Sequence, residues 1–303
     1  MRAMILAAGL GTRLRPYSNY RPKPLFPLLD RPIILHLLKQ LRSHGFGPII
    51  VNAHYLREQF AQLLQDERDL HLQLEEVILG TGGGLRQALP LLGSGPVLVV
   101  NGDTLFASDL VALRERHLAS GARVSLVVHD QSRFNNLRVR ADNLVTGFRV
   151  GPEAVSQSDG ERLLAFTGLT FLEPAILQGI PAGSFCDIVE HYIHLLTLGE
   201  KINALDVSGH FWADIGTPAD YLALHGGLLR GRLDPWPDFL SRPVAPVFIG
   251  PGGVVEAGAR LEEWAMIGAG ARIGAGAVVR RSVIWDGAKV AAGEVLEDRI
   301  VVA

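Results

Sequence analysis

The side chains best suited to chemistry lie near the start of the chain, where residues 6–24 read LAAGLGTRLRPYSNYRPKP. Two glycines in this stretch would let the backbone approach a phosphate closely, and the loop amides and Thr12 offer hydrogen-bond donors. Arg13 adds a planar guanidinium group that matches phosphate oxygens. Lys23 stands between two prolines, which stiffen the chain and aim its ammonium group at a fixed point. We therefore predict that this stretch holds a nucleoside triphosphate.

The same letters exclude two other nucleotide-binding motifs. A dinucleotide fingerprint needs a third glycine where this chain has Leu14, and a P-loop needs Gly-Lys-Ser/Thr at the start of a helix, which is absent. The apolar run at residues 3–6 predicts a buried strand. Its end would deliver the glycine stretch to the edge of an open α/β sheet, where such sheets bind ligands.

Two further apolar runs are predicted to be strands that end in a carboxylate. Residues 97–100 lead into Asn101-Gly102-Asp103, and residues 211–213 lead into Asp214, which a Gly-Thr turn follows. Asp103 could instead cap the helix expected from Leu110, but Ser108 is better placed for that purpose. Both aspartates are therefore candidates for a functional site.

These segments resemble the sugar-1-phosphate nucleotidyltransferases, also called nucleotide-sugar pyrophosphorylases. The glycine stretch resembles their signature loop, with Ser18 where the family often has threonine. Residues 79–84 (LGTGGG) resemble a base-side loop that precedes a helix, and residues 166–169 (FTGL) resemble the strand against the sugar. The resemblance implies an enzyme that transfers a nucleotidyl group from a nucleoside triphosphate to a sugar 1-phosphate and releases pyrophosphate.

The resemblance also implies roles for individual residues. Asp103 and Asp214 correspond to the family's magnesium-binding pair, and Mg²⁺ held by carboxylates suits two anionic substrates. Arg13 is expected to stabilise the β- and γ-phosphates and Lys23 the α-phosphate. The nucleotide is expected to contact Leu6, Ala7, Ala8, Gly9, Gly11, Thr12, Gly80, Thr81, Gly82 and Gly83, and the sugar phosphate to contact Asn101, Thr167, Gly168 and Arg149. Arg149 lies where the family often has a second lysine in an E-K-P motif that this chain lacks, so it is either a substitute or a surface arginine.

The identity of base and sugar is less constrained. Glu75 and Glu76 precede the base-side run. Their carboxylates could accept hydrogen bonds from guanine or uracil, or they could simply lie at the solvent-exposed edge of a strand. The catalytic segments look most like uridylyltransferases acting on N-acetylmuramate 1-phosphate, followed by guanylyltransferases acting on mannose or heptose 1-phosphate. A non-catalytic regulatory homologue that binds nucleotide sugars is a third reading. It would be expected to lose Arg13, Lys23, Asp103 or Asp214, all of which are present.

Composition limits the remaining function classes. The 303 residues contain 29 basic and 31 acidic side chains, so the protein has no positive net charge that would attract nucleic acid. A substrate rich in phosphate must therefore be bound by local arginines. The single cysteine, Cys186, excludes a disulfide framework and a zinc module. There is no charged leader and no apolar run of about 18 residues, so we predict a cytoplasmic protein that binds neither membrane nor nucleic acid.

Strand and helix patterns predict three parts. Residues 1–231 alternate strand and helix, which predicts a Rossmann-like α/β domain with a mostly parallel sheet and helices on both faces. Residues 130–162 are polar and predict hairpins that form a lid on the sugar side, and proline-rich residues 232–246 predict a linker. Helices are expected over 32–44, 55–65, 184–198 and 218–229, and strands over 48–53, 97–100 and 124–128.

The third part, residues 247–303, carries a six-residue repeat of aliphatic residues. This spacing resembles the left-handed β-helix of hexapeptide-repeat proteins and would give about three coils. Such domains often form acyltransferases with a histidine base, but no histidine follows His225. We expect instead docking or a homo-oligomer formed through an apolar end at residues 300–302. The repeat positions are Ile249, Val255, Leu261, Ile267, Ile273, Val279, Ile284, Val290 and Leu296.

Overall fold

The computed structural model describes residues 1–149, 160–233, 239 and 245–303. Within these ranges the helices are α1 (Ile33–Ser43), α2 (Arg57–Leu64), α3 (Gly80–Leu92), α4 (Leu110–Ser120), α5 (Ile188–Thr197) and α6 (Pro218–Leu229). The strands up to α6 are β1 (Ala3–Leu6), β2 (Pro27–Leu28), β3 (Arg31–Pro32), β4 (Ile49–Ala53), β5 (Leu70–Leu74), β6 (Val97–Asn101), β7 (Thr104–Phe106), β8 (Val124–His129), β9 (Leu137–Arg140), β10 (Val145–Phe148), β11 (Glu161–Leu172), β12 (Ile202–Asp206) and β13 (Trp212–Asp214). The strands after α6 are β14 (Val247–Ile249), β15 (Val254–Val255), β16 (Arg260–Ile267), β17 (Arg272–Ile273), β18 (Val278–Ile284), β19 (Lys289–Val290), β20 (Val295–Glu297) and β21 (Ile300–Val301).

A nine-stranded sheet forms the scaffold of the described N-terminal part, with the order β10-β9-β11-β6-β1-β4-β5 and with β8 joining β11 to β12. β1 pairs in parallel with β4 and β6, β4 with β5, and β8 with β12. β11 is antiparallel to β6, β8 and β9. The central strands are almost continuously aliphatic and buried, as expected where both faces are covered. The predicted mixed α/β fold with a mostly parallel sheet is therefore confirmed.

The register of the central strands aligns three strand ends. Leu6, the last residue of β1, pairs with Asn52 of β4 and with Asn101 of β6. Because these strands are parallel, their carboxyl ends meet at one edge of the sheet. The glycine stretch, Ala53 and Gly102 all leave the sheet at this edge.

The predicted elements are present, with shifts at their ends. The predicted loop conformation of residues 79–84 is wrong, because α3 already begins at Gly80 and contains the glycine run. The predicted position of this run beside the base stays a prediction. The helix expected from residue 184 begins only at Ile188. α4 is capped by Asp109, whose side chain accepts from the amides of Val111 and Ala112, and not by Ser108.

The region predicted to form a lid contains an antiparallel hairpin of β9 and β10, followed by β11. Residues 150–159 lie outside the described residues, so the lid stays a prediction. Of the predicted linker, residues 232, 233, 239, 245 and 246 are described. No helix of the described residues combines the length and the apolarity needed to cross a membrane.

Residues 245–303, which we call the C-terminal stack, consist of short parallel strands. β14, β16, β18 and then β20 and β21 form one sheet, and β15, β17 and β19 form another. Val247 pairs with Ala265, and Ile267 pairs with Ile284. Successive layers of the stack, which we call coils, are therefore offset by 18 residues and then by 17. The aliphatic repeat lines the interior, where Ile267, Ile273, Val279, Ile284 and Val290 belong to one buried cluster. The predicted stacking of the repeat is thus observed.

One corner of the stack is built from charged residues in place of glycine. Glu263, Arg281 and Asp298 have φ angles of 60°, 45° and 53° and succeed one another from coil to coil. Arg281 donates to Asp298 through Nε and Nη2 at 2.9 and 2.8 Å and also contacts Glu263. A guanidinium group therefore lies between carboxylates of the coils before and after it.

By its contacts the chain forms two compact units. Unit 1 contains residues 1–10, 38–104 and 108–212, and unit 2 contains residues 11–37, 105–107 and 213–303. Unit 1 includes the nine-stranded sheet, and unit 2 joins α6 and residues 11–37 to the C-terminal stack. The domain boundaries predicted at residues 231 and 247 stay a prediction.

Candidate active site

A cavity of about 180 Å³ lies in unit 1 at the edge where β1, β4 and β6 end. Seven of its lining residues were predicted from the sequence, and Asn52 and Ile78 were not. A Cβ added at Gly9 would meet no atom within 4 Å, so the space beside this glycine is open. The lining residues are Leu6, Ala8, Gly9, Asn52, Ile78, Gly80, Thr81, Asn101 and Asp103.

A buried pair beside this cavity, Asn52 and Glu75, holds the backbone on both sides of it. The Ala7 amide donates to Asn52 Oδ1 at 2.8 Å, and Asn52 Nδ2 donates to Glu75 Oε1 at 2.7 Å. The Leu79 amide donates to Glu75 Oε2 at 3.3 Å. Asn52 and Glu75 are 2% and 1% exposed, so Glu75 neither edges a solvated strand nor faces a base freely. The pair fixes Ala7 of the glycine stretch and Leu79 at the start of α3.

Sequence reasoning missed this pair for a physical reason. Asn52 interrupts an otherwise apolar buried strand, IIVNA, which is a signal that a polar group there needs a partner. The partner lies 23 residues further along the chain, and only the pairing of β4 with β5 brings the two strands together.

The glycine run at the start of α3 serves close packing more than nucleotide access. The amides of Gly82 and Gly83 donate to the carbonyl oxygen of Cys186 at 2.8 and 3.2 Å. A Cβ at Gly82 would lie 2.9 Å from Cys186 Sγ, and one at Gly83 would lie 2.5 Å from the carbonyl oxygen of Ser184. Gly80 and Thr81 line the cavity, whereas Gly82 and Gly83 are buried beneath residues 184–186. Nucleotide contact by the latter two stays a prediction.

Cys186 is a structural thiol at this junction. Its Sγ lies 3.3 Å from the carbonyl oxygen of Asp187. Burial raises the pKa of the thiol, and the nearby carboxylates of Glu190 and Asp187 raise it further. The group therefore stays protonated at neutral pH and is a poor nucleophile.

The sugar-side residues are arranged around Asn101. Gly168 has a φ of +82°, and a Cβ there would lie 2.6 Å from Asn101 Nδ2, so only glycine leaves room for this amide. The Thr167 hydroxyl donates to the Val127 carbonyl oxygen at 2.8 Å and is buried. Trp212 Nε1 donates to the Thr167 carbonyl oxygen at 3.1 Å. Arg149 is exposed just after β10.

In unit 2, both predicted cations lie beside Asp214. Lys23 Nζ is 3.8 Å from Asp214 Oδ1, and both side chains are largely buried. A Cβ added at Gly216 would lie 2.8 Å from Asp214 Oδ2 and 3.2 Å from an Nη atom of Arg13. The glycine of the Asp-Ile-Gly-Thr turn thus makes room for the carboxylate and the guanidinium group together.

Residues 11–28, which we call the signature segment, carry these cations on short turns. Gly11, with a φ of +62°, precedes the 3₁₀ turn Thr12–Leu14, in which Thr12 and Arg13 are exposed. Lys23 begins another 3₁₀ turn, Lys23–Leu25, which is buried. Thr217 caps α6 by accepting from the Asp220 amide at 3.2 Å, which ends the turn that follows Asp214.

The predicted metal ligands are two carboxylates, and each is only partly exposed. Asp103 lines the unit 1 cavity, and Asp214 ends β13 in unit 2. Among the described ranges there is no group of three or more His, Cys, Asp or Glu residues that could enclose a metal. Single carboxylates of this kind fit Mg²⁺, which usually takes one or two carboxylates and completes its shell with water and substrate phosphates.

Comparison with known proteins agrees with this arrangement. Residues 2–230 match a family model described as Nucleotidyl transferase. A mannose-1-phosphate guanylyltransferase of Mycobacterium tuberculosis is 32% identical over 304 residues, covering 97% of this chain and 82% of the relative. An N-acetylmuramate alpha-1-phosphate uridylyltransferase of Neisseria meningitidis is 32% identical over 228 residues, covering 72% of this chain and 94% of the relative.

A solved structure shares the fold. The crystal structure of HddC from Yersinia pseudotuberculosis aligns with a TM-score of 0.62 at 24% identity, covering 74% of this chain and 97% of that one. The family match spans the signature segment, the cavity and Asp214 alike. The chain therefore belongs to the nucleotidyl transferase family, and the predicted sugar-1-phosphate nucleotidyltransferase is confirmed at that level.

Proposed function

We propose that this enzyme joins a nucleoside triphosphate to a sugar 1-phosphate by in-line attack at the α-phosphorus. A phosphate oxygen of the sugar 1-phosphate forms the new bond to the α-phosphorus, and the bond to the β-phosphate oxygen breaks, so that pyrophosphate leaves with the electron pair. The observation that carries the proposal is the position of Arg13 and Lys23 beside Asp214 around Gly216. Two cations and a carboxylate in one place suit phosphoryl transfer, where positioning and charge neutralisation supply most of the rate.

Each residue then has one task. Lys23, held by Asp214 in a buried setting, presents its ammonium group to the α-phosphate, and the exposed Arg13 offers a fork to the β- and γ-phosphates. Open space beside Gly9 favours close approach of the nucleotide to the backbone, and the hydrogen bond from the Ala7 amide to Asn52 fixes that backbone in place. The sugar phosphate needs no general base, because its nucleophilic oxygen is already ionised.

Asp103 and Asp214 are proposed to hold Mg²⁺. When bound, the ion would neutralise phosphate charge and align the two substrates. Asn101, which Gly168 leaves room for, is proposed to contact the sugar phosphate, together with Thr167, Gly168 and Arg149. For Thr167 the backbone is the better candidate, since its hydroxyl is engaged by Val127.

For the substrate pair we propose GTP with mannose 1-phosphate, because the guanylyltransferase relative aligns with 97% of this chain, including the C-terminal stack. UTP with N-acetylmuramate 1-phosphate is the second candidate, supported by a relative with the same identity over the catalytic part. We also propose that the C-terminal stack is a left-handed β-helix, supported by its parallel strands and its offsets of 18 and 17 residues. Oligomerisation through the stack stays a prediction.

The test is magnesium-dependent pyrophosphate release, with UTP, GTP, dTTP, ATP and CTP crossed with several sugar 1-phosphates. Release with one pair establishes the reaction and both substrates. Asp214→Asn should abolish turnover while the protein stays folded. The matched control is Asp109→Asn, because asparagine is also a good helix cap and this site lies on α4. Near-normal activity of Asp214→Asn would refute the proposed role of Asp214 as a metal ligand. Nucleotide-sugar binding without any pyrophosphate release would favour a regulatory protein.

A further inference from the structure

The signature segment has little structure of its own to hold Arg13 and Lys23 in place. It contains three single 3₁₀ turns and the two-residue strand β2. The turns are closed locally, for example by Leu14 N to Gly11 O at 2.9 Å and by Leu25 N to Pro22 O at 2.8 Å. Such turns have poor hydrogen-bond geometry and little cooperative stability. Contacts from other parts of unit 2 must therefore fix the segment.

Trp285 of the C-terminal stack supplies several of these contacts. Its ring centre lies 4.8 Å from that of Phe26 and 6.5 Å from that of Tyr17. The Arg21 guanidinium carbon lies 5.1 Å from the centre of the same ring, in cation–π geometry. Trp285 is only 2% exposed. One indole ring thus contacts three side chains spread along the signature segment.

The corner that carries Trp285 is itself fixed by neighbouring coils of the stack. The Trp285 amide donates to the Val301 carbonyl oxygen at 2.8 Å. Asp286 accepts from the Ala269 amide at 2.9 Å through Oδ1, while its Oδ2 lies 3.5 Å from an Nη atom of Arg21. This ion pair is partly exposed and so contributes little on its own. Trp285 is therefore the stronger of the two contacts.

The segment is also held by α6, which begins at Pro218, four residues after Asp214. The Tyr221 ring lies 5.6 Å from that of Phe26, and its hydroxyl donates to the Pro27 carbonyl oxygen. Phe26 thus packs against Tyr221 of α6 as well as Trp285 of the stack. α6 in turn packs on the stack, since a Cβ at Gly226 would lie 2.8 Å from Trp264.

We propose that Trp285, assisted by Asp286, is a positioning residue of the active site, and that the C-terminal stack is needed for nucleotidyl transfer because it fixes the signature segment. Trp285 acts through Phe26, Tyr17 and Arg21 on the turns that carry Arg13 and Lys23. The proposal rests on the proposed function for its kinetic consequence and on contacts within unit 2 for its structural one. It assigns the stack a role that requires neither an acyl acceptor nor a second subunit.

The test compares Trp285→Leu, Trp285→Phe and Ile273→Ala in the full chain. Ile273 lies inside the stack, so its truncation weakens the coil without removing the Trp285 ring. Two quantities are measured: kcat and KM for the nucleoside triphosphate in pyrophosphate release, and hydrogen exchange of peptides covering residues 11–28. The hydrogen-exchange measurement needs no substrate.

In Trp285→Leu we expect a loss of about a hundredfold in kcat/KM, much of it in kcat, because small misplacements of charged groups are costly. Exchange in the signature segment should rise about tenfold or more, as its turns open locally. Trp285→Phe keeps a ring against Phe26 and should recover most of the activity, and Ile273→Ala should leave the segment protected.

Wild-type kcat/KM and protection in folded Trp285→Leu would overturn the proposal. So would equal effects of Ile273→Ala. If the wild type releases no pyrophosphate with any substrate pair, the proposed function fails, while the exchange arm still decides whether Trp285 fixes the segment. Should Trp285→Leu not fold, Tyr17→Leu removes a ring contact from the segment's side and is measured in its place.

Discussion

The buried pair of Asn52 and Glu75 allows a charge exchange whose energy can be worked out from one distance. In Asn52→Asp a second carboxylate would face Glu75 where the amide now lies, at 2.7 Å. At an effective dielectric constant of about 20, two charges that close repel by about 6 kcal/mol. Protonating an ordinary carboxyl group at pH 7 costs about 4 kcal/mol, which is less. The variant pair should therefore bind a proton, and the stability loss is limited to about 4 kcal/mol at pH 7.

The reciprocal change separates charge from shape. Glu75→Gln keeps one oxygen, so the donors Asn52 Nδ2 and Leu79 N compete for it, and the loss should be about 1–3 kcal/mol. In the double variant, the new amide at position 75 can donate to the new carboxylate at position 52 and still accept from Leu79. That carboxylate still accepts from the Ala7 amide, so all three hydrogen bonds are restored. The double variant should be more stable than Asn52→Asp alone.

The assay is urea unfolding followed by tryptophan fluorescence at pH 7 and pH 5. The deficit of Asn52→Asp should shrink by about 1.4 kcal/mol per pH unit as the solution supplies the shared proton. Gln62→Glu, an amide-to-acid change on the exposed face of α2, is the control and should be nearly neutral. The reasoning is refuted if Asn52→Asp is as stable as the wild type at pH 7, or if the double variant shows no recovery.

Two other perturbations test the site and the core. Gly168→Ala should raise the KM for the sugar 1-phosphate or abolish turnover. The added methyl group would lie 2.6 Å from Asn101 Nδ2, and residue 168 has a φ of +82°. Unchanged steady-state kinetics would contradict this expected clash. Burial lowers the pKa of His225 to about 4, below the ordinary value of 6.5. Below pH 6.5 the unfolded chain therefore binds a proton at this imidazole that the folded chain does not bind. The free energy of unfolding consequently falls as the pH drops toward 4. Between pH 7 and pH 5 the wild type should lose about 2 kcal/mol more than His225→Gln in urea unfolding, and equal losses would argue against a buried neutral imidazole.

The sequence predicts best the site residues whose type and position after an apolar strand allow few other roles. Gly9 and Asp103 follow apolar strands, and parallel strands of one sheet necessarily bring their ends together, so the cavity lining was largely predictable. The glycine run at residues 80–84 misled, because residues 184–186 pack on it and let it form the first turns of α3. Composition cannot distinguish a glycine that admits a ligand from one that admits another chain segment.

Partners that lie far apart in the chain were also hidden. The role of Glu75 depends on Asn52, and the setting of the signature segment depends on Trp285, more than 250 residues away. The six-residue repeat predicted the coils of the stack, but the position of Trp285 outside the repeat gave no indication of what it contacts. Tertiary packing alone decides such pairings.

The charged corner of the C-terminal stack bears on how this part of the chain could grow or shrink. Repeat proteins often gain or lose whole units, since each unit touches only its neighbours. Here the corner alternates in sign from coil to coil through Glu263, Arg281 and Asp298. Duplicating the middle coil would place two guanidinium groups in adjacent layers, and deleting it would oppose two carboxylates. The alternation therefore disfavours duplication or loss of the middle coil alone, so that insertions within the stack are electrostatically easier in steps of two coils.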